Sequence, residues 1–266
     1  MRAGVEAWAR DHGWELLFEN DESSPDREAW HHELLEQRGC RFVIGPYGSD
    51  TTRALARARC GKVVWNHGAA ADDVQRLPGV ISVSTPASRY LVALAHAAAR
   101  LGAEHIAVRS AGGRFARLAR EGLEREIETV PEAEADCVLL CGPVEWEAQH
   151  FRELDRRGVL LGGISPGLRH EPWPDGTLAP VQWHPDLGGP DGVEDYIAAQ
   201  AYAVALIAER CLELDPVDLP AAARSLSTST FFGPFELDGT GLQVGHQLSI
   251  VRWRGGHQEL LLAGDG

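Results

Sequence analysis

A chain of 266 residues that is 44% hydrophobic carries enough apolar surface for one large core or two ordinary ones. Its 39 acidic against 25 basic residues give a formal charge of -14, which opposes binding to phosphate backbones or anionic membrane surfaces, and no basic stripe offsets it. The five cysteines are odd in number and lack paired CxxC spacings, which argues against a disulfide framework or a zinc site. No apolar run approaches the roughly 20 residues that span a bilayer, and charges interrupt MRAGVEAWARDHGWELL where a signal peptide needs its apolar centre. These residues carry no export signal, so the protein is either cytoplasmic or exported with a leader that lies upstream.

In chain order, apolar spacing predicts a helix from Arg2 to His12, a strand in WELLFEN (14–20), a helix through DREAWHHELLEQRG (26–39) and a strand in RFVIGP (41–46). His31 and His32 are adjacent on that second helix and point about 100° apart, which argues against shared ligation and for a solvated face. A helix in SDTTRALARARCG (49–61), with Ser49 or Asp50 as N-cap, precedes strands in KVVWNH (62–67) and GVISVS (79–84). Asp72 and Asp73 between them start a helix. Strands separated by helices imply parallel pairing.

A second series follows the short crossing STPASRY (84–90): helix 88–102, strand HIAVRS (105–110), helix 114–127, strand DCVLLCG (136–142), helix 145–158 and strand VLLGGI (159–164). In that middle strand Cys137 and Cys141 share one face, as buried free thiols do. Residues 165–192 are rich in proline and glycine and predict a loop. A long helix (193–215), a shorter one (219–226) and the run FFGPFELDGTGLQVGHQLSIVRWRGGHQELL (231–261), with turns at Asp238-Gly239 and Gly255-Gly256, complete the chain. His246 and Trp253 in that last run are expected to be structural.

The order of these elements and several local phrases resemble the type I periplasmic solute-binding proteins, specifically the branched-chain amino acid and amide group served by ABC transporters. RFVIGPYGSDTTRALA looks like that family's strand, Gly-Pro, small-residue loop and helix. VVWNHGAAADD looks like its pocket loop, EDYIAAQAYAVALIAE like its long Ala- and Tyr-containing helix, and 231–261 like its terminal meander. The resemblance covers nearly the whole chain. It implies an α/β fold of two doubly wound parallel-sheet lobes, joined by hinge crossings and closed by a C-terminal β meander. The lobes are expected at 1–86 with 187–226 and at 87–186 with 227–266, crossing near 85–89, 180–188 and 226–232. The implied function is binding a small polar or amphipathic solute in the inter-lobe cleft, with a membrane ABC permease as partner, an extracytoplasmic location and no cofactor, metal or nucleic acid.

Cleft binding has a physical reason, because helix N-termini with unpaired N–H groups converge there. The first-lobe candidates are Tyr47, Gly48 and Ser49, where Ser49 matches the family serine that binds a ligand carboxylate, and Asn66, His67, Gly68, Ala69 and Ala70. The family's carbonyl for a ligand amine falls at Ala69, while Ala70 stands where amino-acid binders often have a hydroxyl. The second-lobe pattern departs further. The family aromatic falls near Pro143 or Val144 and the family acid near Ser165 or Pro166, so Glu145, Trp146, Ser165 and Trp183 are the substitutes expected to line the pocket.

The family also begins with a strand central to the first lobe's sheet, whereas this chain starts at the following helix. Without that strand, two neighbours would carry unpaired backbone groups, each costing about 1–3 kcal/mol if buried. Two other readings compete with transport. One is a cytoplasmic ligand-sensing regulator of the same architecture. The other is a serine hydrolase, because Gly163–Gly167 fits G-x-S-x-G around Ser165, with His184 and Asp186 downstream, although Pro166 follows where an elbow needs a helix. SAGGRF (110–115) lacks the spacing of a nucleotide fingerprint.

Overall fold

The computed structural model describes residues 1–20, 24–59, 62–155, 158–168 and 173–264, so Cys60 lies outside it. Contacts divide the chain into two units, Met1–Pro86 with Leu187–Gln247 and Ala87–Asp186 with Leu248–Asp265.

The second unit is built on a six-stranded sheet. Its strands β3 (Ile106–Ser110), β4 (Cys137–Cys141), β5 (Leu160–Gly163) and β6 (Leu178–Val181) run parallel, and β9 (Ser249–Arg254) and β10 (His257–Leu262) continue it antiparallel. Every residue of β4 is buried, as a central parallel strand covered on both faces must be. The period of two sorts its side chains: Cys137, Leu139 and Cys141 join Leu91 and Leu94 of α5 (Tyr90–Arg100), while Val138 and Leu140 join Phe151 and Leu154 of α7 (Val144–Leu154). Burial pushes the Cys137 thiol up to about 12, so it is an apolar filler and not a thiolate. Between β3 and β4, α6 (Arg114–Glu124) approaches the 3-10 turn Ala87–Arg89 so closely that a Cβ on Gly122 would lie 2.0 Å from the Ser88 carbonyl oxygen.

One strand of this sheet was expected as loop. β6 lies inside 165–192, where Pro180 lacks a ladder donor and disguises the run. It pairs with β5 only at Gly162–Leu178 and relies on four register pairs with β9.

The first unit has little sheet. β1 (Val64–Asn66) and β2 (Val80–Ser82) pair in parallel over three residues, and Ile44 adds one isolated parallel bridge to Trp65. The expected strand at 14–20 does not form, and that at 41–46 is reduced to this bridge. Helices α1 (Arg2–His12), α2 (Pro25–Gln37), α3 (Ser49–Ala58), α4 (Asp72–Gln75), α8 (Tyr196–Leu214) and α9 (Leu219–Ser225) surround it. Side chains supply the cohesion that the ladder lacks. Trp8 packs its ring 5.3 Å from Trp14 and 5.6 Å from Phe42, and Phe42 stands edge-on to Trp65 at 6.3 Å. Glu209 of α8 accepts the indole N–H of Trp8 at 3.3 Å and of Trp14 at 2.8 Å. α1 lies against α8 so tightly that a Cβ on Gly4 would fall 1.9 Å from the Ala198 carbonyl oxygen.

Two expectations are corrected here. His31 and His32 are buried, not solvated: with Glu28 and Leu35 they form the stripe i, i+3, i+4, i+7 of α2. Burial, followed by the charge of Arg59, pushes His32 down to about 4. The last chain crossing falls at Gln247/Leu248, not at 226–232. Residues 228–247, including β7 (Thr228–Thr230) and β8 (Gly233–Phe235), stay with the first unit because buried Gln243 and His246 fasten them there. Gln243 donates to the Val83 and Pro234 carbonyls and accepts from the N–H groups of Glu236, Gly245 and His246. His246 stacks on Phe232 at 4.3 Å and hydrogen-bonds Thr85. His246 and Trp253, whose indole donates to the Pro166 carbonyl, are thus held by structural contacts.

Candidate ligand-binding site

In the first unit the loop before α3 and the loop after β1 meet. Gly48, at φ 102, is the N-cap of α3, and no side chain caps the helix. Its first-turn N–H groups are therefore oriented outward with the positive end of the helix dipole. Asp50, the carboxylate of that first turn, pairs with Arg53 at 3.4 Å. Ser49 Oγ accepts the Ala71 N–H at 3.3 Å and couples α3 to the second loop. Tyr47, 49% exposed, lays its ring 5.5 Å from that of His67. Gly68 permits this: a Cβ there would lie 2.3 Å from the Tyr47 ring.

Asn66 was expected to contact ligand, but the geometry makes it a staple. Its amide donates to the Ala69 carbonyl at 2.8 Å and to Ser82 Oγ at 2.9 Å, while its oxygen accepts from Gly68 N–H at 3.1 Å and Ala69 N–H at 2.7 Å. This buried side chain has no capacity left over. The Ala69 carbonyl is also occupied, because Gln75 donates to it at 3.3 Å beside Asn66. Ala70 is half-buried next to it.

His67 differs from its neighbours. Its carbonyl accepts the Ser84 hydroxyl at 2.7 Å, yet neither nitrogen of its fully buried ring has a hydrogen-bond partner among the described residues. Burial pushes its pKa down to about 3, so the ring is neutral at neutral pH and offers one donor and one acceptor. The carboxylates that follow are engaged by arginines, Asp72 with Arg76 at 4.0 Å and Asp73 with Arg53 at 3.5 Å, in the first turn of a helix as expected.

In the second unit, Glu147 organises the loops at the ends of β4 and β5. Its two carboxyl oxygens each accept one backbone N–H, from Gly142 and from Ser165, both at 2.8 Å. The side chain is fully buried, and that burial outweighs the two N–H groups and pushes its pKa up to about 8. Sequence reading passed over Glu147 in favour of its neighbours, because only the fold reveals that two loops converge on it. Trp146 covers Gly142, where a Cβ would meet the indole at 2.5 Å, and lies tilted against His150 with ring centroids 4.0 Å apart. Glu145 is exposed, and Trp183 is buried beyond β6.

Ser165 does not sit on a nucleophile elbow. It opens the 3-10 turn Ser165–Leu168, is 2% exposed, and turns its hydroxyl toward the Gly142 carbonyl at 3.4 Å. Among the described residues no cluster of three or more His, Cys, Asp or Glu could hold a metal ion.

No protein-family model and no curated protein matches the sequence. Solved structures do match its fold. An ABC transporter substrate-binding protein from Desulfitobacterium hafniense superposes with a TM-score of 0.80 at 16% identity, over 98% of this chain and 95% of that one. A solute-binding protein of an ABC transporter from R. palustris, solved with benzoate, gives 0.73 at 17% identity over 98% and 90%. The leucine-binding protein LivK from Thermotoga maritima gives 0.73 at 12% identity over 98% and 92%. At these identities the likeness is one of fold, and the chain has the α/β fold of type I periplasmic solute-binding proteins.

Proposed function

We propose that the chain is the solute-binding component of an ABC-type transporter. It binds a small carboxylic acid that lacks an ammonium group, releases it unchanged to a membrane permease, and works outside the cytoplasm. Among the described residues no helix is long and apolar enough to cross a membrane.

The observation that carries the ligand class is the loop chemistry around His67. The uncapped start of α3 suits a carboxylate. The neutral, unpartnered imidazole suits a hydroxyl or a second uncharged polar group. Among the described residues of this loop an ammonium finds no comparable acceptor, because the Ala69 carbonyl is taken twice and Asp72 and Asp73 are paired with arginines. Proteins of this fold have been solved with 4-hydroxybenzoate and with leucine, and this loop favours the first kind of solute.

Thermal shift and calorimetry with benzoate, 4-hydroxybenzoate, leucine and isoleucine test the reading. The two aromatic acids should raise Tm and the two amino acids should not. Stabilisation by leucine alone would overturn the exclusion of ammonium. Ester hydrolysis that disappears in Ser165→Ala would overturn the reading as a binding protein.

A further inference from the structure

The buried ring of His67 raises a question of access. It is 0% exposed and neither of its nitrogens has a hydrogen-bond partner among the described residues, so a solute group meets it only if something that covers it moves. The loop backbone is pinned. The His67 carbonyl is held by Ser84 Oγ at 2.7 Å, the N–H groups of Gly68 and Ala69 by the Asn66 side chain at 3.1 and 2.7 Å, and the residues before them by the pairing of β1 with β2. The facing loop is fixed as well, because Thr51 Oγ1 donates to the Tyr47 carbonyl at 2.9 Å and Thr52 Oγ1 to the Gly48 carbonyl at 2.8 Å.

What is left unfastened is the Tyr47 side chain. Its ring stands against that of His67 and no other ring among the described residues, and its hydroxyl bonds none of them. Half of the residue faces solvent, where side chains change rotamer in picoseconds to nanoseconds. Gly68 provides its seat. The three atoms nearest to a Cβ built on Gly68 all belong to the Tyr47 ring, at 2.3, 2.5 and 3.1 Å. Gly68 does not hold a positive φ, so the methyl it lacks makes room for the ring and is not demanded by the backbone.

We propose that Tyr47 is a movable cover over His67, seated in the space left by Gly68, and that an uncharged polar group of the solute displaces it and takes its place against the imidazole. The cover follows from the packing within the first unit. The solute that displaces it rests on the reading of a carboxylic acid bound at the start of α3.

Diethyl pyrocarbonate, which acylates a neutral imidazole that it can reach, tests the cover on the full chain, with each histidine read by peptide mass spectrometry relative to exposed His257. At about pH 7.5 the His67 ring is mostly neutral whether covered or open, so its rate reports access. Gly68→Ala, which drives the Tyr47 ring away, and Tyr47→Ala, which removes it, should each speed acylation of His67 roughly tenfold or more, the gain when an open state populated at about 10% or less becomes dominant. Tyr47→Phe keeps the ring and should react like the parent. An unchanged His67 rate in both alanine variants would overturn the cover. So would equal acceleration at His31 and His32, buried in the same unit, because access would then reflect general loosening. Saturating 4-hydroxybenzoate should slow His67 again in Tyr47→Ala. If it raises the Tm of the parent yet leaves His67 of Tyr47→Ala equally reactive, the displacement by solute is overturned while the reading as a binding protein stands. If it neither raises Tm nor protects His67, the ligand reading fails, and the two alanine variants still decide the cover.

Discussion

The two units start from the same alternation of strands and helices but are held by different bonds. In the second, β3, β4 and β5 share nine parallel register pairs, five between β3 and β4 and four between β4 and β5. In the first, β1 and β2 share three, and cohesion passes to rings around Trp8 and to the carboxylate of Glu209. A backbone ladder tolerates side-chain change because its bonds belong to no particular residue. An aromatic cluster does not. The units should therefore respond differently to the same kind of truncation.

Trp8→Ala and Phe151→Ala make this contrast sharpest, since both residues are buried, at 1% and 0% exposure. Each truncation costs about 3–5 kcal/mol. Trp8→Ala should abolish amide protection throughout α1 while leaving β3–β5 protected, because the ladder of the second unit does not depend on it. Phe151→Ala should lower the stability of the second unit but keep its sheet register. Cooperative loss of protection in both units from either substitution would break the comparison.

The second unit has its own weak point, the buried Glu147 carboxyl. Its pKa lies near 8 against 4.5 for an ordinary glutamate. The folded state thus holds a proton that the unfolded state releases. The stability this gives is fully present below pH 4.5 and is lost as pH rises toward 8, on the order of a few kcal/mol at most. Glu147→Gln keeps a neutral polar group there and should shift stability by a constant amount. The urea midpoint of the parent protein should fall from pH 5 to pH 8 relative to that of the variant. Parallel profiles would show that the N–H groups of Gly142 and Ser165 already hold the carboxylate ionised.

How much of this was legible beforehand follows from which interactions are local. α1 could be read to both ends, and the alternation in β4 placed Cys137 and Cys141 on one face correctly, because spacing and burial are written along the chain. The strands expected at 14–20 and 41–46 have suitable residues, but a strand exists only with a partner, and among the described residues only Ile44 finds one, in its bridge to Trp65. α2 hid its inner face because that face is polar, with Glu28, His31 and His32. In the candidate site, the Tyr47–Ser49 and His67–Ala69 loops could be placed from the sequence. The role of Asn66 could not, since whether an amide faces ligand or loop depends on four bonds fixed only by the fold.

The smallest effect tests whether side-chain cohesion makes the first unit act as one body. Asp195 caps α8 by accepting the Ala198 N–H at 2.7 Å, and Asp218 caps α9 by accepting the Ala221 N–H at 2.9 Å. Replacing either with alanine removes a similar bond, worth about 1 kcal/mol. Their surroundings differ. The Ala198 carbonyl is the group against which Gly4 of α1 is pressed, and α8 also presents Glu209 to both indoles. Fraying at the start of α8 should therefore loosen α1 as well, and Asp195→Ala should speed amide exchange in α1 and α8 together. Asp218→Ala should speed it in α9 alone. If both variants stay local, the aromatic cluster holds α1 independently of the α8 terminus, and the first unit is less interdependent than its lack of sheet implies.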